Sequence, residues 1–204
     1  MAKGAVARRS PLQEVYQTGN FGAVKDGRPG VTINERVGLS VVHVAAWDDQ
    51  AEAAAAAIEK AVRVKPSRQA CTVAASGDTV VIWVGPDRWL VVERERRDLE
   101  AIILDAVSEE TAAVTDQSHS RCVLRISGLR ARDVLRKGTT LDMDAGKFNP
   151  CDARSTSLFR INGLIHCITD DTFDLHVARS VGQSFFEVLT LAAAEYGYRV
   201  ESVI

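Results

Sequence analysis

Apolar residues in this chain follow two alternating rhythms, and the alternation runs twice from residue 39 to the end. Short β-branched runs predict strands at Leu39–Val44, Ala70–Ala75, Val80–Val84 and Trp89–Val92, with Ser76-Gly77-Asp78 and Gly85-Pro86-Asp87 as turns. An alanine-rich helix to about Val62 is predicted between the first two strands, with Asp48 and Asp49 as candidate N-terminal caps. Leu99, Ile102, Ile103, Ala106 and Val107 share one helical face. The second pass predicts a strand at Arg121–Ile126 and a helix at Leu129–Lys137. Further strands are Ser155–Ile161, Ile165–Thr169 and Thr172–Val177, around Asn162-Gly163 and Asp170-Asp171. Val181, Phe185, Val188, Leu189 and Ala192 line a last helix, and Tyr198–Val203 suits a closing strand.

The two passes are in register. Asp171, Phe173 and Val123 stand 84 residues after Asp87, Trp89 and Leu39. Hairpins mixed with helices predict an α+β fold of two duplicated β-α-β hairpin halves with largely antiparallel sheets. Each half alone is too small for a generous core. The expected organisation is a flexible lead-in over 1–30, rich in glycine from Gly19 to Gly30. A single domain of two repeats follows, about 31–117 and 118–204.

Composition narrows the function classes. The chain has 204 residues, 46% hydrophobic, with a formal net charge of -2, which gives no electrostatic pull toward nucleic acid or anionic membrane. No apolar run reaches the roughly 20 residues of a membrane helix. Met1–Ser10 is basic without the apolar stretch of a signal peptide, so a solvated tail and a cytoplasmic location are expected. Cys71, Cys122, Cys151 and Cys167 form no CxxC pair, which argues against a zinc knuckle and for reduced thiols.

Candidate chemistry is sparse. A hairpin about Asp170-Asp171 that sets Ile165 opposite His176 puts Cys167, Asp174 and His176 on one face, the types of a nucleophile, its orienter and a base. Any sheet face groups residues this way, so the packing reading takes precedence. On the other face, Ile168, Phe173 and Leu175 are expected to point inward with His166 among them. Arg121, Arg125, Arg130, Arg132, Arg136 and Lys137 form a basic cluster suited to a solvated helix face, an acidic partner or an anionic ligand such as a folate carboxylate. It lacks the interleaved aromatics of a nucleic-acid surface. Glu93–Asp98 alternates charge and reads as a solvated loop and first helical turn, with Asp98 suited to the helix dipole. His119, Arg121, Arg125 and Arg130 are the candidate interface residues.

Several ordered motifs carry a family resemblance. They are Arg9-Ser10-Pro11-Leu12, Gly85-Pro86-Asp87-Arg88-Trp89-Leu90, Thr115-Asp116, Ser118-His119-Ser120-Arg121 and Leu124-Arg125-Ile126-Ser127-Gly128. Lys137-Gly138, Leu141-Asp142, Asp170-Asp171-Thr172-Phe173-Asp174-Leu175 and Arg179-Ser180 follow. In this order the chain resembles the gamma subunit of heterotetrameric sarcosine oxidase. That group is similar to the folate-binding domain of the glycine-cleavage T-protein, whose fold is duplicated α+β. The resemblance implies a noncatalytic structural subunit with alpha, beta and delta subunits as partners. It implies a complex that oxidatively demethylates sarcosine to glycine, hydrogen peroxide and methylenetetrahydrofolate. FAD, FMN, NAD, zinc and tetrahydrofolate are then expected in partner subunits and no cofactor in this chain. The alternative is a stand-alone tetrahydrofolate-binding or one-carbon-transfer protein.

Overall fold

A computed structural model describes residues 9–24, 27–94 and 98–204. The elements in the first part are β1 (Gly19–Phe21), β2 (Val31–Glu35), β3 (Ser40–Ala46), α1 (Ala51–Val62), β4 (Val73–Ser76), β5 (Thr79–Gly85), β6 (Arg88–Glu93) and α2 (Leu99–Leu104). The second part holds β7 (Ala112–Asp116), β8 (Arg121–Ser127), α3 (Ala131–Arg136), β9 (Ala153–Leu158), β10 (Ile161–Thr169), β11 (Thr172–Ala178), α4 (Gly182–Ala193) and β12 (Tyr198–Val200). One sheet runs β4-β5-β6-β3-β7, the other β1-β12-β2-β8-β11-β10-β9. Every pairing is antiparallel except β12 with β2. The fold is therefore α+β with largely antiparallel sheets.

Three apolar clusters define the layers. Val42, Val44, Val81, Trp89 and Val91 of the five-stranded sheet pack against Ala54 and Ile58 of α1 and Ile103 of α2. Leu124, Ile165, Phe173 and Leu175 of the seven-stranded sheet pack against Val134 of α3 and Phe185 and Leu189 of α4. Between the sheets, Leu39, Val41, Val73, Ile82, Leu90 and Val92 meet Val123, Ala153 and Leu164. The central strands β3, β6, β8 and β11 thus bury most of both faces, one under helices and one on the opposite sheet, which is why their apolar runs are nearly continuous.

The leading strands cross over. β2 enters β3 in the chain but pairs with β8, and β7 enters β8 but pairs with β3. β2 thus crosses from the first half into the sheet of the second, while β7, which leads into β8, stays in the sheet of the first. The sequence reading lacked both strands, since VTINE and AAVTD are short and half polar. In β2 the alternation of buried Val31 and Ile33 with half-buried Thr32 was the available signal.

Several local expectations are corrected. Neither Asp48 nor Asp49 caps α1. Asp49 sits at φ 63, and Gln50 is the N-cap without a side-chain hydrogen bond. Asp98 does cap α2, accepting from the Ala101 amide at 3.2 Å. The turn between β9 and β10 is Phe159-Arg160, both with positive φ, because Leu158 pairs with Ile161. Asn162-Gly163 lies inside β10 instead. A Cβ on Gly163 would stand 2.9 Å from the His176 carbonyl oxygen, so this strand position requires glycine for close approach. Glu93 is a buried strand residue that accepts from Thr79 Oγ1 at 2.8 Å, whereas its stretch reads as solvated; Glu95, Arg96 and Arg97 lie outside the described residues. The helix expected over 129–137 spans Ala131–Arg136, and Leu129 is 91% exposed. Of the lead-in expected over 1–30, residues 1–8, 25 and 26 lie outside the described residues. Within it, Leu12 is fully buried and Gly19–Phe21 pairs with β12, so part of the glycine-rich stretch is built into the sheet.

Candidate functional site

The hairpin β10–β11 decides where the candidate chemistry goes. Its turn is Asp170-Asp171, closed by the pair Thr169 and Thr172, as the sequence suggests. Ile168 is then an extra, bulged residue, and beyond it the register slips by one. Ile165 faces Leu175, Leu164 faces His176 and His166 faces Asp174. A one-residue slip moves every side chain to the other face. Cys167 therefore joins Phe173 in the core under α4, and His166 joins Asp174 and His176 between the sheets. The Cys–Asp–His grouping is dissolved, and so is the placement of His166 beside Phe173 and Leu175.

Asp174 is the centre of what replaces it. Arg36 Nη1 donates to its Oδ2 at 2.6 Å, while Arg125 donates through Nε to Oδ1 at 2.7 Å and through Nη2 to Oδ2 at 3.0 Å. Burial alone raises the Asp174 carboxyl, but the Arg125 hydrogen bond and the Arg36 charge outweigh it and hold it below the usual value. Burial pushes His166 down to about 4 and His176 down to about 3. His176 Nδ1 is buried without a hydrogen-bond partner among the described residues. Burial also pushes the Cys122 thiol up to about 12 and the Cys167 thiol up to about 11, so neither supplies a thiolate at neutral pH.

At one end of this layer lies a cavity of about 250 Å³. It forms where the two crossing connections meet, β2 into β3 and β7 into β8. Glu35 and Arg36 reach it from the first connection, and Ser118, His119 and Arg121 from the second. The second connection is stitched by its own side chains: Ser118 Oγ donates to Asp116, Ser120 Oγ to the Gln117 carbonyl at 3.0 Å, and Arg121 to Gln117 Oε1 at 2.8 Å.

The residues expected at an interface do not share one surface. His119 is exposed at the cavity rim, and Arg121 lines the cavity half-buried. Arg125 is committed to Asp174 between the sheets. Arg130 lies near α3, paired with Asp133 at 3.1 Å and stacked over Tyr196. The other members of the basic cluster are also engaged. Arg132 donates to the carbonyls of Asp170, Met143 and Phe148, Arg136 pairs with Asp133 and Asp144, and Lys137 reaches Glu195. Arg36, Glu35 and Arg179 were missed, because their importance depends on strand exchange. Among the described residues no His, Cys, Asp and Glu side chains group as a metal site requires, and no helix is long and apolar enough to cross a membrane.

Comparison with known proteins places this architecture. Residues 46–195 match the sarcosine oxidase, gamma subunit family. The sarcosine oxidase subunit gamma of Corynebacterium sp. (strain P-1) is 31% identical over 159 residues, which is 78% of this chain and 76% of that one. The corresponding subunit of an Arthrobacter species is 35% identical over 91 residues, 45% of each chain. Among solved structures, a chain of the heterotetrameric sarcosine oxidase from Corynebacterium sp. U-96, in complex with pyrrole 2-carboxylate, superposes with a TM-score of 0.83. It is 26% identical, with 93% of this chain and 96% of that chain covered. The glycine cleavage system aminomethyltransferase T from Bartonella henselae shares the fold, with a TM-score of 0.61 and 12% identity over 95% of this chain and 58% of its own. By its matched length and by its strand arrangement alike, this chain belongs to the sarcosine oxidase gamma subunit family.

Proposed function

We propose that the chain is the noncatalytic gamma subunit of a heterotetrameric sarcosine oxidase. The observation that carries this is the superposition on a chain of such an enzyme over nearly the full length of both. The chemistry supports it: both buried thiols stay protonated, and Asp174 is held by two arginines instead of facing a reactant. The reading gives the chain alpha, beta and delta subunits as partners in the cytoplasm. FAD, FMN, NAD, zinc and tetrahydrofolate are then held by those partners, and the assembly oxidatively demethylates sarcosine to glycine. The pairing of β2, from the first half, in the sheet of the second supports one domain of two repeats, about 31–117 and 118–204.

The test is co-expression of the four chains with and without this one. The expected outcome is an equimolar assembly that loses stability and turnover of sarcosine when this chain is omitted. A three-subunit complex with full stability and turnover would overturn the proposal.

A further inference from the structure

The cavity at the strand crossover has an unbalanced charge. Among the described residues Arg121 donates only to the side-chain carbonyl of Gln117, at 3.2 and 2.8 Å, and Arg179 donates to the backbone carbonyl of Arg9. Both acceptors are uncharged. Arg36 also borders the space but is paired with Asp174, which it shares with Arg125. Glu35 is the only acid among the described lining residues, and Ser10 Oγ donates to its carboxylate at 2.6 Å. One carboxylate, which feels the charge of Arg179, thus stands against the three guanidiniums of Arg9, Arg121 and Arg179. Burial lowers the Arg121 value, as expected for a cation withdrawn from water without compensation. The rest of the wall is apolar, with Pro11, Leu39, Val41, Val123 and Val203.

We propose that this cavity binds a small monocarboxylate with an apolar body, its carboxylate held by Arg121 and Arg179 and its body against the valine and leucine wall. A guanidinium presents paired N–H donors that match a carboxylate in its plane, and the apolar wall selects against a fully hydrated inorganic anion. The volume of about 250 Å³ lies below the roughly 300–1,000 Å³ of drug-sized ligand sites, so the ligand is small. A more open depression lined by Ser120, Ala178 and Gln183 adjoins the cavity and shares Pro11 and Arg179 with it. This site concerns the chain itself and stands whether or not the proposed assembly is correct.

The experiment is calorimetric titration of the full chain with pyrrole-2-carboxylate, its neutral carboxamide, and inorganic phosphate. Pyrrole-2-carboxylate is expected to bind at about 1 mM or tighter, with the carboxamide and phosphate at least roughly tenfold weaker. Arg121→Gln and Arg179→Gln should each weaken binding by roughly tenfold to a hundredfold, the usual range for a charge-assisted hydrogen bond. Glu35→Gln removes the competing negative charge and should tighten binding, a change of sign that loss of folding cannot mimic. Arg160→Gln, at an exposed turn, should leave affinity unchanged. Absence of binding, equal affinity for the carboxamide or phosphate, or weakening by Glu35→Gln would each overturn the proposal.

Discussion

The two repeats fill the layer between the sheets with opposite chemistry. In the hairpin β5–β6 the inward residues are Ile82, Leu90 and Val92, all apolar. Eighty-four residues on, in β10–β11, the same positions hold His166, Asp174 and His176. Even the irregularities agree, since each hairpin carries a bulge just before its turn, between Trp83 and Gly85 and between Cys167 and Thr169. One backbone frame therefore accepts either an apolar or an ionic inner face. What differs is the neighbour: Asp174 has Arg125 from β8 and Arg36 just past the exchanged β2, whereas Leu90 sits beside His43 of β3. An ionic set in this layer is tolerable only because two strands bring complementary charges to one carboxylate.

The comparison breaks most severely at Asp174. Asp174→Leu copies repeat one but strands two half-buried arginines, so we expect a loss of up to about 3 kcal/mol in chemical denaturation, less than for fully buried charges because solvent still reaches both guanidiniums. The triple variant Arg36→Met, Arg125→Met, Asp174→Leu removes the whole set and should return to within about 1 kcal/mol of the parent or exceed it. If the triple variant is as unstable as the single one, the charges are not the reason for the loss.

Acid should separate the repeats next. His166 and His176 lie below their ordinary 6.5 in the folded chain, so the unfolded chain binds more protons as pH falls. Their contribution is complete above about 6.5 and drains as pH falls toward about 4 for His166 and about 3 for His176. The depressed Asp174 carboxyl adds a loss at still lower pH, in the same direction. Each histidine steepens the decline by up to about 1.4 kcal/mol per pH unit. His176→Val copies Val92 of repeat one and should remove one such contribution, shifting the acid midpoint downward. An unchanged pH profile would show that His176 is not protonated on unfolding in this window.

Smaller effects sharpen the picture. Gly163→Thr copies Thr79 of repeat one, but its Cβ would meet the His176 carbonyl oxygen at 2.9 Å. Overpacking of this kind should cost about 1–3 kcal/mol, read as a lower thermal midpoint. Leu129→Ser, at a position 91% exposed, should leave the stability of the chain within about 0.5 kcal/mol.

Much of the fold was legible. The strands at Ser40–Ala46, Thr79–Gly85, Arg88–Glu93, Arg121–Ser127 and Thr172–Ala178 follow from β-branched runs between turn residues, α1 from its alanine content and α4 from apolar spacing. The 84-residue register holds in the hairpins but becomes 82 at β3 and β8, where Val41 pairs with Val92 as Val123 pairs with His176. The stretches between strand and hairpin differ in length, and identities alone did not expose the shift. Candidate site residues were less legible. Arg121 was seen as basic and polar, yet its position in a cavity depends on Glu35 and Arg179, which come from β2 and from the end of β11.

The sequence by itself determined the α+β class, the duplication and the family resemblance, because each rests on local periodicity and on motifs contiguous in the chain. Only the tertiary structure decided which strand pairs with which, and on which face each side chain lies. Strand exchange joins residues far apart in sequence, so no local pattern encodes it. A single bulged residue, Ile168, moved Cys167 into the core and set His166, Asp174 and His176 between the sheets. With a side-chain period of two, one residue more or less reverses a whole face, and packing, not propensity, chooses between the outcomes.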